Sequence, residues 1–187
     1  MAESLLEANV LFCLMADRSI RDLREQWPVV DDGEGGRHVV DIHATRFGGR
    51  RTAYIVRPEA LVKRDGLERK VDYLNRTGVG GFADEAVLVT DRDITAADIY
   101  NAKRLLRSRR LRNDEDVAEA LELVSVIHGA VTFHSLLRDA ELEAKRRITL
   151  WCLIDLGVLR PVQGGPVLDR SLMVVNHDCL AIVRGAA

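Results

Sequence analysis

One acidic and one basic residue on neighbouring strand-like segments form the clearest chemical pattern in this sequence. Asp41 lies in the apolar run His38–Ile42, while Ile55 and Arg57 lie two positions apart near the end of Thr52–Arg57. Residues two apart on a β-strand face the same side of a sheet. A carboxylate opposite such a pair is the layout with which metal-dependent nucleases hold Mg²⁺ and position the attacking water. The pattern therefore predicts a nuclease-type site on a β-hairpin.

Two positions of this pattern carry side chains that are unusual for hydrolysis. Ile55 stands where an acid or amide would bind the metal, and isoleucine supplies no ligand. Arg57 stands where a lysine is usual, and its guanidinium stays protonated near neutral pH, so it cannot accept a proton but can stabilise a phosphate charge. We therefore expect a weak or inactive nuclease. The alternative interpretation is a purely structural ion pair between Asp41 and Arg57.

Basic residues in the middle of the chain are the best candidates for contacting phosphates. The net charge of the chain is −2, but residues 42–112 hold 16 Lys and Arg against 9 Asp and Glu. No acid occurs between Asp98 and Asp114. The basic residues of this interval that we predict to contact DNA are Lys103, Arg104, Arg107, Arg109 and Arg110. At the hairpin turn, Arg46, Arg50 and Arg51 can extend the same surface.

Length and composition are those of a folded protein. The 187 residues allow one large domain or two small ones, and 47% hydrophobic with 30% charged residues argue against disorder. No apolar run approaches the ~18 residues that a membrane span needs, and the first residues lack the basic character of a secretion signal. Three widely separated cysteines fit neither a disulfide framework nor a zinc site. We expect a cytoplasmic protein with no membrane association.

The apolar pattern predicts a mixed α/β unit in the first part of the chain. Ser4 and Glu7 fit a capping box, Pro28 favours an edge position for the first strand, and Gly78 is a C-terminal cap. Helices are predicted at Ser4–Met15, Glu59–Asn75 and Thr95–Arg110, and strands at Leu23–Asp31, Arg37–Phe47, Thr52–Arg57 and Glu85–Thr90.

A polar junction at Arg112–Asp116 predicts a boundary between a first domain, residues 1–112, and a second domain, residues 113–187. In the second domain three helices precede a hairpin, which is the winged-helix arrangement. The helices are predicted at Val117–His128, Phe133–Asp139 and Glu141–Leu156, and the hairpin strands at Val158–Val162 and Val167–Val175.

The third of these helices would be the DNA-reading helix of a winged-helix domain. Glu141 and Glu143 occupy its first turn, ahead of Lys145, Arg146 and Arg147. Helices that read the major groove usually present basic and amide groups near the N-terminus. We therefore expect the second domain to bind a protein partner, with DNA reading as the alternative.

Several short motifs, in order along the chain, resemble the TnsA transposon endonuclease family. Ser4-Leu5-Leu6-Glu7 resembles the family's S-x-L-E helix, and Arg24-Glu25-Gln26-Trp27-Pro28 resembles its R-E-Q-x-P strand. Tyr54–Pro58 stands where the family has a Q-V-K-P-like run, and a winged-helix domain ends the family as it ends this chain. The resemblance covers nearly the whole sequence.

The resemblance implies a PD-(D/E)XK restriction-endonuclease-like α/β core followed by an α+β winged-helix domain. It implies that Glu7 and Asp41 are catalytic and hold Mg²⁺ or Mn²⁺, with Arg57 in place of the catalytic lysine. It also implies double-stranded DNA as substrate and a transposase or regulatory ATPase as partner, in a transposon or phage-related system. Two alternatives stay open: a non-catalytic scaffold that binds DNA or a partner, and a winged-helix regulator with an unrelated sensor domain.

Overall fold

The structure, a computed structural model, describes residues 2–31, 35–138 and 142–185. These residues form seven α-helices and nine β-strands, so the predicted mixed α/β class is confirmed. The chain divides into two compact units, Met1–Ile99 and Tyr100–Ala187. Within the described residues, no helix combines the length and the apolar character needed to cross a membrane.

The first unit is built on a four-stranded sheet with strand order β1-β4-β5-β6. Strands β1 (Ile20–Glu25), β4 (Ile42–Arg46) and β5 (Arg51–Val56) form an antiparallel meander, and β6 (Glu85–Val89) pairs parallel to β5. A parallel neighbour needs a crossover connection. The helices between β5 and β6 supply it.

Strand β5 is buried and largely apolar from Ala53 to Val56, because the sheet is covered on both faces at this strand. Val56 packs on the side of α1 (Ala2–Ala16). Ile55, the next residue back, belongs to the cluster on the other face, with the buried residues of α3 (Leu67–Thr77). The two faces of the sheet therefore hold separate apolar clusters.

The predicted strand Leu23–Asp31 is two strands in the structure. After β1 the chain bends at Gln26, which adopts a positive φ of 53°, and then forms β2 (Val29–Asp31). Strand β2 pairs antiparallel with β3 (Arg37–Val39) in a separate two-stranded sheet. The bend places Asp41 at the junction between β3 and β4.

The predicted helix Glu59–Asn75 is interrupted. It consists of α2 (Glu59–Val62) and α3, and Gly66 between them has a φ of 64°, a left-handed conformation that glycine adopts without steric cost. The predicted cap at Gly78 is confirmed, because its N–H donates to the Leu74 carbonyl at the end of α3. The side chain of Ser4, predicted to cap α1, lies outside the described residues, as do Asp139 and Glu141.

The second unit contains three helices, a three-stranded antiparallel sheet and a further C-terminal helix. The sheet order is β7-β9-β8. The elements are the part of α4 (Ala96–Arg110) from Tyr100 onward, α5 (Asp114–Ser125), β7 (Val131–Thr132), a 3-10 turn at His134–Leu137, α6 (Glu143–Asp155), β8 (Leu159–Pro161), β9 (Leu172–Val175) and α7 (His177–Gly185). Strand β7 and helix α7 were not predicted from the sequence.

The division between the two units falls inside α4, ahead of the polar junction at which the sequence predicts a boundary between residues 112 and 113. The physical reason is that α4 is part of the second unit's structure. Tyr100 and Leu105 pack against the second unit's core. Asn101 donates to the Gly165 carbonyl and accepts from the Val167 N–H, both at 3.0 Å.

Candidate functional site

Asp41 is held at the end of the central hairpin by backbone hydrogen bonds. Its carboxylate accepts a hydrogen bond from the Val56 N–H at 2.7 Å, and its carbonyl accepts one from the Gln26 N–H at 2.9 Å. The side chain of Gln26 also acts to lower the pKa of this carboxyl. The prediction that Asp41 lies inside one strand, Arg37–Phe47, is wrong, because the chain leaves the two-stranded sheet after β3 and enters the four-stranded sheet at β4, with Asp41 between them.

The Asp41 carboxyl is partly buried, and burial disfavours its ionised form. Burial raises the pKa of Asp41 above its ordinary value of 3.8, although the Val56 N–H, the charges of His38 and Arg57, and the Gln26 amide all act in the opposite direction. Desolvated carboxyls of this kind are concentrated at functional sites but also occur in structural networks.

Asp41→Asn is expected to stabilise the protein at neutral pH. Because the pKa of Asp41 is raised in the folded state, the native protein binds the proton more tightly than the unfolded chain does, and stability is lost as pH rises through this pKa. An asparagine oxygen still accepts from the Val56 N–H and carries no charge. The gain in unfolding free energy should be present at pH 7 and shrink as the pH falls toward the unfolded value of 3.8.

Urea unfolding of both proteins at several pH values measures this difference. A variant that is less stable than the wild type at pH 7 would contradict the expectation, since it would mean that the charge of Asp41 stabilises the fold. Comparing the two proteins removes the contribution of the other carboxyl groups, which titrate in both.

Arg57 follows β5 and lies close to an acid other than Asp41. Its Nε is 3.8 Å from an Asp65 carboxylate oxygen, and its backbone N–H donates to the Val89 carbonyl at 3.0 Å. Its charge nevertheless acts on Asp41, whose pKa it lowers against the dominant effect of burial. Arg57 is thus shared electrostatically between two carboxylates.

The nuclease-type pattern has two further positions: Ile55, expected to supply no ligand, and Glu7, which the resemblance implies is a metal ligand. Ile55 is fully buried in the apolar cluster on the α3 face, and it has no donor atom in its side chain. Glu7 follows Leu6 on α1, and Leu6 packs on the opposite face of the sheet. Among the described residues, no group of three or more His, Cys, Asp or Glu could hold a metal ion. Mg²⁺ in proteins is commonly held by one or two carboxylates and completes its octahedron with water. Of the predicted set, Asp41 is the acid that the structure places beside the end of β5.

The hairpin arginines predicted to contact DNA are each paired with a carboxylate of the first unit. Arg46 lies 2.8 Å from Asp17, Arg50 2.5 Å from Glu85, and Arg51 3.1 Å from Asp84. The Arg50 guanidinium lowers the pKa of the Glu85 carboxyl, as does the Thr52 hydroxyl. These partners lie far from the hairpin in sequence. Their charges offset the positive potential that the run of arginines indicates on its own.

The basic residues of α4 fall into different classes. Arg109 forms a two-pronged ion pair with Asp155, at 3.0 and 2.7 Å, so it is a structural link to α6. Arg104 lies over the Tyr100 ring, 5.1 Å from its centroid. Within the described residues, Arg104, Arg107 and Arg110 have no acidic partner within 4.0 Å. We call these three residues the α4 arginines.

Helix α6, predicted as the DNA-reading helix, has its cations neutralised. Lys145 pairs with Asp116 at 2.7 Å, Arg146 pairs with Glu119, and Arg147 pairs with both Glu143 and Asp169. From Thr149 to Leu153 every residue of α6 is buried. The three cations predicted for DNA reading are thus all ion-paired, and the C-terminal half of the helix belongs to the core of the second unit.

A groove of about 440 Å³ lies between α4 and α6. Ile148 and Trp151 of α6 supply apolar lining, and Arg104 and Arg107 of α4 line the opposite side. The sequence did not predict this groove, because α4 was assigned to the first domain. The signal that could have identified it is the apolar spacing of Tyr100 and Leu105 on an otherwise basic helix.

Comparison of the chain with models of known protein families and with curated proteins finds no match.

Proposed function

We propose that this chain is a DNA-binding protein with a TnsA-like, PD-(D/E)XK nuclease-type fold and a winged-helix unit, and that it holds DNA without hydrolysing it. The observation that carries the proposal is the set of α4 arginines. They are cations that no described carboxylate neutralises, in a chain whose other predicted DNA contacts are mostly ion-paired. Phosphate contacts by unpaired arginines supply most of the affinity of sequence-independent DNA binding.

The strand arrangement supports the nuclease-type fold. The first unit runs helix, antiparallel meander, helices and a parallel strand, and its meander carries Asp41 beside the end of β5. This is the hairpin layout that the sequence pattern requires. The second unit supports the winged helix, since three helical segments precede the strands β8 and β9 and the earlier strand β7 pairs with β9.

The chemistry of the site supports binding without hydrolysis. Metal-dependent hydrolysis needs an ion that lowers the pKa of bound water and a group that accepts its proton. The described residues hold no group of three or more His, Cys, Asp or Glu that could bind a metal, Ile55 supplies no ligand, and Arg57 stays protonated. What the site offers a phosphate is the positive charge of Arg57.

Two measurements on the purified wild-type protein test the proposal. Fluorescence anisotropy with a labelled blunt duplex should give the same affinity in EDTA and in Mg²⁺ buffers of equal ionic strength. Supercoiled plasmid incubated with protein and Mg²⁺ or Mn²⁺ should remain uncut. Nicking that Asp41→Ala abolishes and Glu68→Ala leaves intact would overturn the non-catalytic assignment, Glu68 being an exposed acid in the first turn of α3. Failure to bind the duplex would overturn the DNA-binding assignment.

A second candidate function is binding of a protein partner by the second unit, such as a transposase or regulatory ATPase. The observation that favours it is the groove between α4 and α6, which is lined by apolar side chains and by unpaired arginines. Such a lining suits a peptide segment that has both acidic and apolar residues. Arg110 does not line this groove. Arg110→Gln should therefore weaken DNA binding and leave binding of such a segment unchanged.

A further inference from the structure

An aromatic cluster lies beside Asp41 in the first unit. The Trp27 ring meets His43 at 5.0 Å between ring centroids and Phe82 at 5.3 Å, both edge to face, at interplanar angles of 87° and 75°. Trp27 is 36% exposed and Phe82 39% exposed, while His43 is only 4% exposed. The half-exposed rings of Trp27 and Phe82 thus pack against each other, and Trp27 also packs against the buried imidazole of His43.

The backbone on both sides of the cluster is shaped to present these rings. Trp27 stands in the bend between β1 and β2, next to Gln26, whose backbone N–H donates to the Asp41 carbonyl at 2.9 Å. Phe82 follows Gly80 and Gly81, which both have positive φ. A side chain at Gly80 would meet the Phe82 ring at 3.5 Å. The cluster therefore adjoins the Asp41 site through consecutive residues of one bend.

Polar groups accompany the rings. The Arg24 guanidinium lies 5.0 Å from the Trp27 ring centroid, and its Nε donates to the Asp22 carboxylate at 3.2 Å. His43 Nε2 lies 3.0 Å from the Phe82 carbonyl and donates to it in the neutral form, which leaves Nδ1 as an acceptor. Within the described residues Nδ1 is buried without a hydrogen-bond partner, an arrangement that is rare in proteins and calls for an explanation.

We infer that Trp27 and Phe82 form a stacking site for an unpaired DNA base, so that the protein prefers DNA with unpaired nucleotides over an uninterrupted duplex. This inference rests on the proposed DNA-binding function. Aromatic side chains stack on bases regardless of sequence, because every base has a π-face. Bases inside a duplex are already stacked and do not expose these faces.

The test compares a blunt duplex with the same duplex carrying a short single-stranded overhang, by anisotropy in EDTA. Stacking contributes about 1–3 kcal/mol per base, so the overhang should increase affinity about 5- to 150-fold. Trp27→Ala should reduce the affinity for overhang DNA to that of the blunt duplex and leave blunt binding unchanged. Phe47→Ala is the matched control, because Phe47 is an aromatic residue of the first unit that is 69% exposed and outside the cluster.

Intrinsic fluorescence gives a second measurement that does not depend on truncating Trp27. The chain has 2 tryptophans, and Trp151 is 5% exposed. In Trp151→Phe the emission comes from Trp27 alone, and overhang DNA should quench it more than blunt DNA at equal saturation. Trp27→Phe keeps a stacking ring and should retain most of the preference.

Three outcomes would overturn the inference. Equal affinity of the wild type for both DNAs would show that no unpaired base is bound. If Trp27→Ala lowers the affinity for blunt and overhang DNA by the same factor, the ring has a structural role. Failure of the wild type to bind the blunt duplex would remove the proposed function as well, whereas blunt binding without a preference removes this inference alone.

Discussion

Replacing the three α4 arginines together by glutamine is expected to weaken binding to duplex DNA about 100- to 1000-fold at 0.1 M salt. Each arginine that contacts a phosphate releases condensed counterions and contributes about 0.9 to the slope of log affinity against log salt. Loss of three contacts should therefore lower the slope by about 2.7. Anisotropy titrations at several salt concentrations measure both quantities.

The hairpin arginines provide a control of equal charge. Arg46, Arg50 and Arg51 are each paired with a carboxylate, so their triple glutamine variant removes the same charge from groups that are already neutralised. We expect its affinity for DNA to change less than about threefold, with little change in salt slope. The comparison separates specific phosphate contacts from an effect of net charge.

A second control tests the winged-helix regulator. The glutamine variant of Lys145, Arg146 and Arg147 should bind DNA as the wild type does, because all three cations have acidic partners. If this variant no longer binds DNA while the α4 variant binds it as the wild type does, α6 is the DNA-reading helix. The assignment of the α4 arginines is then wrong.

Local sequence signals predicted the central hairpin because the information needed lies within it. Alternating apolar residues and the Gly48-Gly49 turn fix the pairing of β4 with β5, and this pairing places Asp41 next to the end of β5. The same alternation predicted that Ile55 and Arg57 share a face. It could not show that this face is filled by α3 at Ile55, because that contact depends on a helix beyond the hairpin.

The charged surface was harder to predict because ion pairs join residues that are distant in sequence. Arg50 and Glu85 are 35 positions apart, and Arg109 and Asp155 are 46 apart. A run of arginines therefore indicates a positive surface only after the fold has shown which members are paired. The structure leaves the α4 arginines as the unpaired members of the predicted set within the described residues.

The domain boundary shows how local polarity can mislead. Arg112–Asp116 is polar because Asn113 caps α5, its side chain accepting from the Asp116 N–H at 3.0 Å. A helix start and a domain junction have similar composition, since both place polar residues in the chain. The packing of Tyr100 on Trp151, with ring centroids 6.4 Å apart, is what assigns this part of α4 to the second unit.

Ile55→Gln is expected to lower the free energy of unfolding by about 3–5 kcal/mol. Burying an isoleucine side chain stabilises the folded state by about 1.5–3 kcal/mol, and the substitution removes this contribution. Burying an amide without a hydrogen bond costs about 1–3 kcal/mol more. Ile55 is fully buried among apolar residues, so a glutamine there finds no water. Urea unfolding measures the loss, and Ile55→Val, which removes one methylene, should cost about 0.5–1.5 kcal/mol.

The same substitution decides whether the nuclease layout can be restored. Combined with Arg57→Lys, it recreates the amide and lysine of the family pattern, yet we expect no plasmid nicking under conditions where the variant remains folded. The amide would lie in the α3-face cluster, and the described residues add no third ligand to Asp41 and Glu7. If the double variant instead keeps near-wild-type stability and nicks plasmid in Mg²⁺, the glutamine must reach a hydrated site beside Asp41. Position 55 would then belong to a metal site. The side chains of Ile55 and Arg57, and not the fold, would explain why the wild type does not hydrolyse DNA.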